Sequence, residues 1–127
     1  MNIDLDRFVE SARKDFEFKR ETRYLTGVIK LEFPDAVVGL HFRDGEMLRV
    51  DGEAPDDADC KIVVRGTGEQ WGALLEDKPR PFYQCLQSAA VRHGLHLSNG
   101  DATFAYLPAL NRMTSLMRAS RKTGAAQ

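Results

Sequence analysis

The sequence predicts an α+β fold in which an antiparallel sheet is covered on one face by helices. Three observations carry this. Four short stretches between Ile29 and Arg65 alternate apolar and polar residues and are joined by turn-forming pieces. An amphipathic helical pattern precedes them. The stretch from Arg92 to Met117, around which the rest is organised, closes the chain with a long apolar helical segment. At 127 residues one domain with a single core is expected.

In the first helix, over 5–18, Leu5, Phe8, Val9, Ala12 and Phe16 share a face, and Asp4 and Asp6 favour its start. Phe18 falls off that stripe, which gives the helix a second contact surface. Residues 21–26 connect to a strand in which Ile29, Leu31 and Phe33 alternate with Lys30 and Glu32. Pro34-Asp35 turns the chain into a second strand with Val38, Leu40 and Phe42 on one face. Asp44-Gly45, both tolerant of positive φ, marks a tight hairpin into a third strand over 47–50. The acidic loop 51–59 precedes a fourth strand over 60–65. Thr67-Gly68-Glu69-Gln70 has capping-box spacing and starts a short helix with Trp71, Leu74 and Leu75 inward. Pro81 suits the first turn of a further helix carrying Phe82, Cys85, Leu86 and Ala89. Val91, Leu95 and Leu97 then alternate with Arg92, Gly94 and His96 as a fifth strand over 91–98. After the turn Ser98-Asn99-Gly100-Asp101, residues Phe104, Leu107, Leu110, Met113, Leu116 and Met117 recur at steps of three and four. Pro108 interrupts that helix, as a kink or as the start of a second one.

Formal net charge is −1, which gives no general attraction to nucleic acid. The charge is uneven: residues 1–63 hold 15 acids and 10 bases, residues 64–127 hold 4 acids and 8 bases. Ordinary scatter explains that much, while a basic C-terminal half also suits transient contact with an anionic lipid surface. Cys60 and Cys85 read as buried free thiols, in keeping with a cytoplasmic location. The start of the chain has no signal-peptide pattern, and no apolar run is long enough to span a membrane.

Chemistry-bearing constellations are thin. His93 and His96, placed on a strand, face opposite sides and do not share a metal. Asp56, Asp57 and Asp59 lack the glycine and terminal glutamate of a calcium loop. Cys85 and Ser88 have no evident base partner. Gly66-Thr67-Gly68 lacks the further glycines and lysine of a phosphate loop. Arg112, Arg118, Arg121 and Lys122 form a basic cluster without the interleaved aromatics that bind single-stranded nucleic acid. No metal, cofactor, catalytic group or nucleic-acid partner is expected.

The unusual inventory is apolar. Phe33, Phe42, Trp71, Phe82, Tyr83, Phe104 and Tyr106 are many large side chains for a small sheet, and Pro79, Pro81 and Pro108 break the helical layer. Gaps between short helices over a curved sheet make apolar pockets; a filled core is the alternative.

Residues 37–117 resemble the sterol carrier protein type 2 family in a bacterial stand-alone form. The resemblance rests on Phe42-Arg43-Asp44-Gly45-Glu46, on Ala58-Asp59-Cys60 before the alternating Lys61-Ile62-Val63-Val64, on Trp71-Gly72-Ala73-Leu74-Leu75, and on Gly94-Leu95-His96-Leu97-Ser98-Asn99-Gly100-Asp101 with its apolar helix. It implies a five-stranded, mostly antiparallel sheet covered on one side by helices that enclose an apolar tunnel. Residues 1–120 would form this domain and 121–127 a flexible tail. By the same resemblance the tunnel is lined by Trp71, Leu74, Leu75, Phe82, Leu86, Phe104, Leu107 and Leu110, with the helix over 102–117 as a lid hinged at Pro108. The segment from Pro79 to Val91 is longer than in minimal members and would reshape the cavity mouth. The chain also ends without the peroxisomal signal of eukaryotic members.

The function implied is non-catalytic binding, and transfer within the cell, of a fatty acid, fatty acyl-CoA, sterol or phospholipid. An accessory protein that presents a lipid or isoprenoid-quinone intermediate to a lipid-metabolising enzyme is the alternative. Either role draws on roughly 0.8 kcal/mol per methylene taken out of water.

Overall fold

The computed structural model describes residues 2–98 and 100–122. Asn99 of the expected turn and residues 123–127 of the expected tail lie outside the described residues. In chain order the elements are α1 (Leu5–Lys14), α2 (Phe16–Thr22), β1 (Gly27–Phe33), β2 (Ala36–Arg43), β3 (Glu46–Asp51), β4 (Ile62–Arg65), α3 (Gly68–Leu74), α4 (Leu86–His93), β5 (His96–Leu97), α5 (Asp101–Ala105) and α6 (Leu107–Ala119), with one 3-10 turn at Asp57–Asp59. The sheet runs β3-β2-β1-β4-β5. Its pairs are antiparallel except β1 with β4, which is parallel. The α+β class and the five-stranded, mostly antiparallel sheet are as expected.

The parallel pair in the middle sets the topology. To enter β4 from the edge strand β3, the chain must cross back over β2 and β1, which it does through residues 52–61. His41 on β2 meets the Glu53 carbonyl at 3.1 Å, and Lys30 on β1 donates to the Pro55 carbonyl at 3.1 Å and to Asp57 at 3.0 Å. A Cβ on Gly39 would overlap the Glu53 carbonyl oxygen, so the crossing needs glycine there. Glu32 and Arg65 pair on the same face, with Asp57 bridging to Arg65 at 2.7 Å. At the hairpin, Asp44 (φ 49°) and Gly45 (φ 84°) adopt the left-handed conformations their residue types favour.

The opposite face is apolar. Ile29, Leu31, Leu40, Ile62 and Val64 are fully buried beneath Phe8, Phe18, Leu74, Leu86, Leu110, Met113 and Met117 from the helices. Beyond α6 the chain returns to its own start: Ser120 accepts from the Asp4 backbone N–H at 2.8 Å, Arg121 bridges to Ile3, and Lys122 donates to Asn2 at 3.2 Å.

Four local expectations are corrected. The first helix is two. Asp15 leaves helical geometry, and its carboxylate accepts the Phe18 backbone N–H at 2.8 Å, capping α2. The new helix rotates Phe18 into the core, where it meets Phe42 edge-on at 6.3 Å, and leaves Phe16 79% exposed. Thr22 is consequently helical, not part of a connection. Pro81 starts no helix: residues 80–85 are irregular, and α4 begins at Leu86. The fifth strand is only His96–Leu97, because Val91, Arg92 and His93 complete α4. Of the two outcomes expected at Pro108, the structure shows the second: α5 ends and α6 begins, with Pro108 in its first turn, where its missing N–H costs no bond.

Two arginines fasten α6. Arg112 donates to both Asp15 oxygens at 2.7 and 3.0 Å. Arg118 donates to the Leu74 carbonyl at the end of α3 at 2.6 and 3.0 Å, the end of a helix where a cation is favourable. Both clamps tie α6, the helix expected as a lid, to α2 and α3.

The Arg112 guanidinium, opposed by partial burial and helped by the Phe18 N–H, holds the Asp15 carboxyl below its ordinary value near 3.8. A depressed carboxylate pKa stabilises the folded state above that ordinary value, and the stabilisation is lost as pH falls through the native value. Asp15→Ala, which removes both cap and ion pair, is expected to cost about 2–4 kcal/mol. Asp15→Asn, which keeps a cap acceptor, is expected to cost about half as much. Denaturant unfolding at neutral pH checks both values. Repeated at falling pH, the gap between wild type and Asp15→Asn should narrow below about pH 4.

Candidate functional site

The residues read as tunnel lining separate into three environments. Leu74, Leu86 and Leu110 are fully buried in the packed core. Trp71 and Leu75, also buried, border a groove. Leu107 is half-buried, while Phe82 (43% exposed) and Phe104 (60% exposed) face solvent. No enclosed tunnel exists among the described residues; side chains fill the space between sheet and helices. A small pocket of about 10 Å³ is lined by Ile3, Leu5, Phe8, Leu31, Phe33, Val38 and Met117.

The groove has a volume of about 370 Å³ and is lined by Asn2, Phe33, Pro34, Asp35, Gly68, Trp71, Gly72, Leu75 and Arg121. Local sequence builds it. Thr67 Oγ1 accepts the Gln70 N–H at 3.1 Å while Gln70 Oε1 accepts the Thr67 N–H at 2.9 Å, the reciprocal capping box the spacing predicts. This fixes the entry of α3 and aims Trp71 at the end of β1. Its indole N–H donates to the Glu32 carbonyl at 2.8 Å, and its ring stacks on Phe33 at 4.2 Å. Gly72, next on the helix, puts no side chain into the groove, and a Cβ there would meet nothing within 4 Å. Arg121 and Asp35 place one charge of each sign at the rim. Arg121 also binds Asp77 and the Arg118 carbonyl.

Phe33 is the residue that lines both the groove and the small pocket, so its ring borders both spaces. The alternation of β1 identifies Phe33 as inward-facing, but its place at the groove wall depends on the Trp71 stack, which sequence spacing does not reveal. Gly72 stood inside a recognised motif, yet only the geometry shows that its bare face leaves the groove open.

A larger opening of about 540 Å³ lies between α1, α2 and the β2–β3 hairpin. Phe18, Phe42 and Met47 floor it, and its rim mixes Arg13, Lys19 and Arg23 with Asp44 and Glu46. It is the more open and more polar of the two. Arg13 is already committed there to the Leu48 carbonyl at 3.2 Å. The smaller groove is the better apolar site.

Chemical machinery is sparse. Among the described residues no cluster of three His, Cys, Asp or Glu side chains could hold a metal ion. Cys85 Sγ meets Ser88 Oγ at 3.3 Å, but Ser88 is bound to the Phe82 and Cys85 carbonyls. His93, on a helix and not on the strand expected, is stacked on Tyr83 at 4.0 Å and bonded to the Pro81 carbonyl at 3.0 Å. Burial pushes the Cys60 thiol up, away from the reactive thiolate. No described helix is long and apolar enough to cross a membrane.

Among solved structures the chain is similar to a crystal structure of sterol carrier protein 2, with a TM-score of 0.69 at 18% identity, over 91% of this chain and 93% of that one. A solution structure of a conserved hypothetical protein from Thermus thermophilus, described as a possible sterol carrier protein, gives 0.67 at 17% identity, over 100% and 94%. A UbiJ-SCP2 ubiquinone synthesis protein gives 0.53 at 16% identity, over 85% and 86%. No protein-family model and no curated protein sequence matches. At these identities the likeness is one of fold: the chain has the sterol carrier protein 2 fold over nearly its whole length.

Trp71→Phe removes the indole hydrogen bond and part of the Phe33 stack, and is expected to destabilise by about 1–3 kcal/mol. The Glu32 carbonyl keeps its bond from the Gly66 N–H at 3.2 Å, so the sheet register should survive. Thermal unfolding and far-UV circular dichroism check the two statements.

Proposed function

We propose that this protein is a non-catalytic binder and intracellular carrier of an apolar ligand, the chain of a fatty acid, acyl thioester, sterol or phospholipid, which enters at the Trp71 groove. The observation that carries the reading is the apolar groove bordered by Phe33, Trp71 and Leu75, whose Phe33 also borders a small pocket over the sheet. The groove lies within the size range of small-molecule sites, about 300–1,000 Å³. A change of the Phe33 rotamer would extend it toward Leu31, Val38 and Met117, which line the small pocket beside it. The sterol carrier protein 2 fold supports the same ligand class. Because the groove's described lining is largely apolar, the ligand's apolar part supplies the affinity. The two free cysteines suit work in the reducing cytoplasm.

The ubiquinone synthesis protein of the same fold favours a second version, in which the apolar chain is an isoprenoid tail presented to a partner enzyme. Competition between a fatty acid and a polyprenyl chain for the groove separates the two versions.

Trp71 is the single tryptophan of the chain, so its fluorescence reports on the groove directly. Titration with a fatty acid brominated along its chain should quench it saturably. Gly72→Leu fills the groove from a position where a side chain has room, and exchanges glycine for a better helix former. That variant should unfold at a temperature no lower than wild type and lose the quenching. Undiminished quenching in Gly72→Leu would exclude this groove as the entry site.

A further inference from the structure

The segment between α3 and α4 does something its packing does not require. Phe82 lies in the left-handed region with φ 68°, a conformation rare for a bulky residue, and the ring so placed is 43% exposed. The surroundings over-determine it. Ser88 Oγ donates to the Phe82 carbonyl at 3.0 Å, His93 Nε2 binds the Pro81 carbonyl at 3.0 Å, and the Tyr83 N–H donates to the Arg80 carbonyl at 2.9 Å. Tyr83, buried and stacked on His93, roots the loop, and Pro79 and Pro81 stiffen its approach. Strain held this firmly at a surface signals a function for the presented group.

Charge gives the function a direction. Residues 78–100 contain no aspartate or glutamate, while Lys78, Arg80, Arg92, His93 and His96 all fall within them. Arg80 pairs with Glu76 at 3.0 Å. Arg92 has no carboxylate partner among the described residues; its guanidinium lies over the Phe82 ring at 4.4 Å. Beside it on α4, Val91 is 77% exposed. A rigid aromatic tip under an uncommitted arginine, in an acid-free segment, matches the interfacial zone of an anionic bilayer. Aromatic rings settle at headgroup depth there, and cations are drawn to the surface.

We propose that the Pro79–His93 segment docks the protein on anionic membranes, with Phe82 entering the interface and Arg92 meeting lipid phosphate. Its purpose rests on the carrier reading above, since a lipid carrier must meet the membrane that supplies or receives its ligand. Its test does not, because membrane binding is read without ligand.

The experiment is co-sedimentation of the full chain with vesicles of phosphatidylcholine alone and of phosphatidylcholine with phosphatidylglycerol. Partition should favour the anionic vesicles and fall at high salt. Phe82→Asn keeps a residue tolerant of the left-handed backbone and removes the ring. It should weaken partition by about tenfold, and Arg92→Ser by about fivefold, with unfolding temperatures unchanged. Phe104→Asn, an exposed aromatic on α5, should leave partition as it is. No partition of wild type, or equal losses in the Phe82 and Phe104 variants, would overturn the proposal. It would stand even if Trp71 were not quenched by fatty acid.

Discussion

The Asp15–Arg112 ion pair is the constraint on which the helical layer depends. Asp15 breaks what would be one amphipathic helix into two, and the same carboxylate that caps the second also receives the guanidinium from α6. The pair joins positions 97 residues apart, so it ties the first elements of the chain to the last. The break turns Phe18 toward Phe42 and so closes the sheet at the β2 end. At the other end of α6, Arg118 grips the C-terminal carbonyl of α3. The last helix is thus held between the N-terminal end of one helix and the C-terminal end of another, each presenting the charge its dipole favours.

That arrangement explains why the space over the sheet is filled. The broken helical layer was read as leaving apolar pockets or a filled core, and the family resemblance implied an enclosed tunnel; Leu74, Leu86, Leu110 and Met113 are fully buried and fill the core. The breaks fall where capping and arginine clamps restore close packing. The irregularity that survives is at the periphery: the bare face of α3 at Gly72, and the exposed loop at Phe82.

Much of this was legible in the sequence. Period-two alternation located four strands, Asp44-Gly45 the hairpin, and the Thr67–Gln70 spacing a capping box whose two bonds both form. The fifth strand misled because Val91 and Leu95 fit an alternation by coincidence. Val91 is an exposed helical residue, while Leu95 is buried after the helix has closed at Gly94. Phe16 and Phe104 fit helical stripes but face solvent, since each stripe crosses a helix break that rotates the register. Phe82 defeated pattern reading for a different reason. Its placement depends on a positive φ fixed by Ser88 and His93, contacts that no local propensity encodes. Among the residues read as ligand-binding, Trp71 and Leu75 reach the groove, because the Thr67–Gln70 capping box legible in the sequence fixes where α3 starts and how it faces β1.

A filled interior and a carrier's task are compatible on energetic grounds. Displacing Phe33 costs about 0.5–1.5 kcal/mol for its ring stack, besides the packing its own ring gives up until a ligand replaces it. An incoming methylene recovers about 0.8 kcal/mol as it leaves water, so a chain that buries several outweighs one or two such displacements. The first displacement must therefore be easy and must lie where the ligand arrives. Phe33 meets both conditions. It stands at the inner wall of an open groove, it backs onto the space above Leu31 and Met117, and it is held by a ring stack and not by a hydrogen bond. The core elsewhere is fastened by arginines to helix ends and carboxylates, interactions with no apolar substitute. The least fastened part of the packing thus coincides with the apolar groove, which is where the proposed carrier role would need the core to give way.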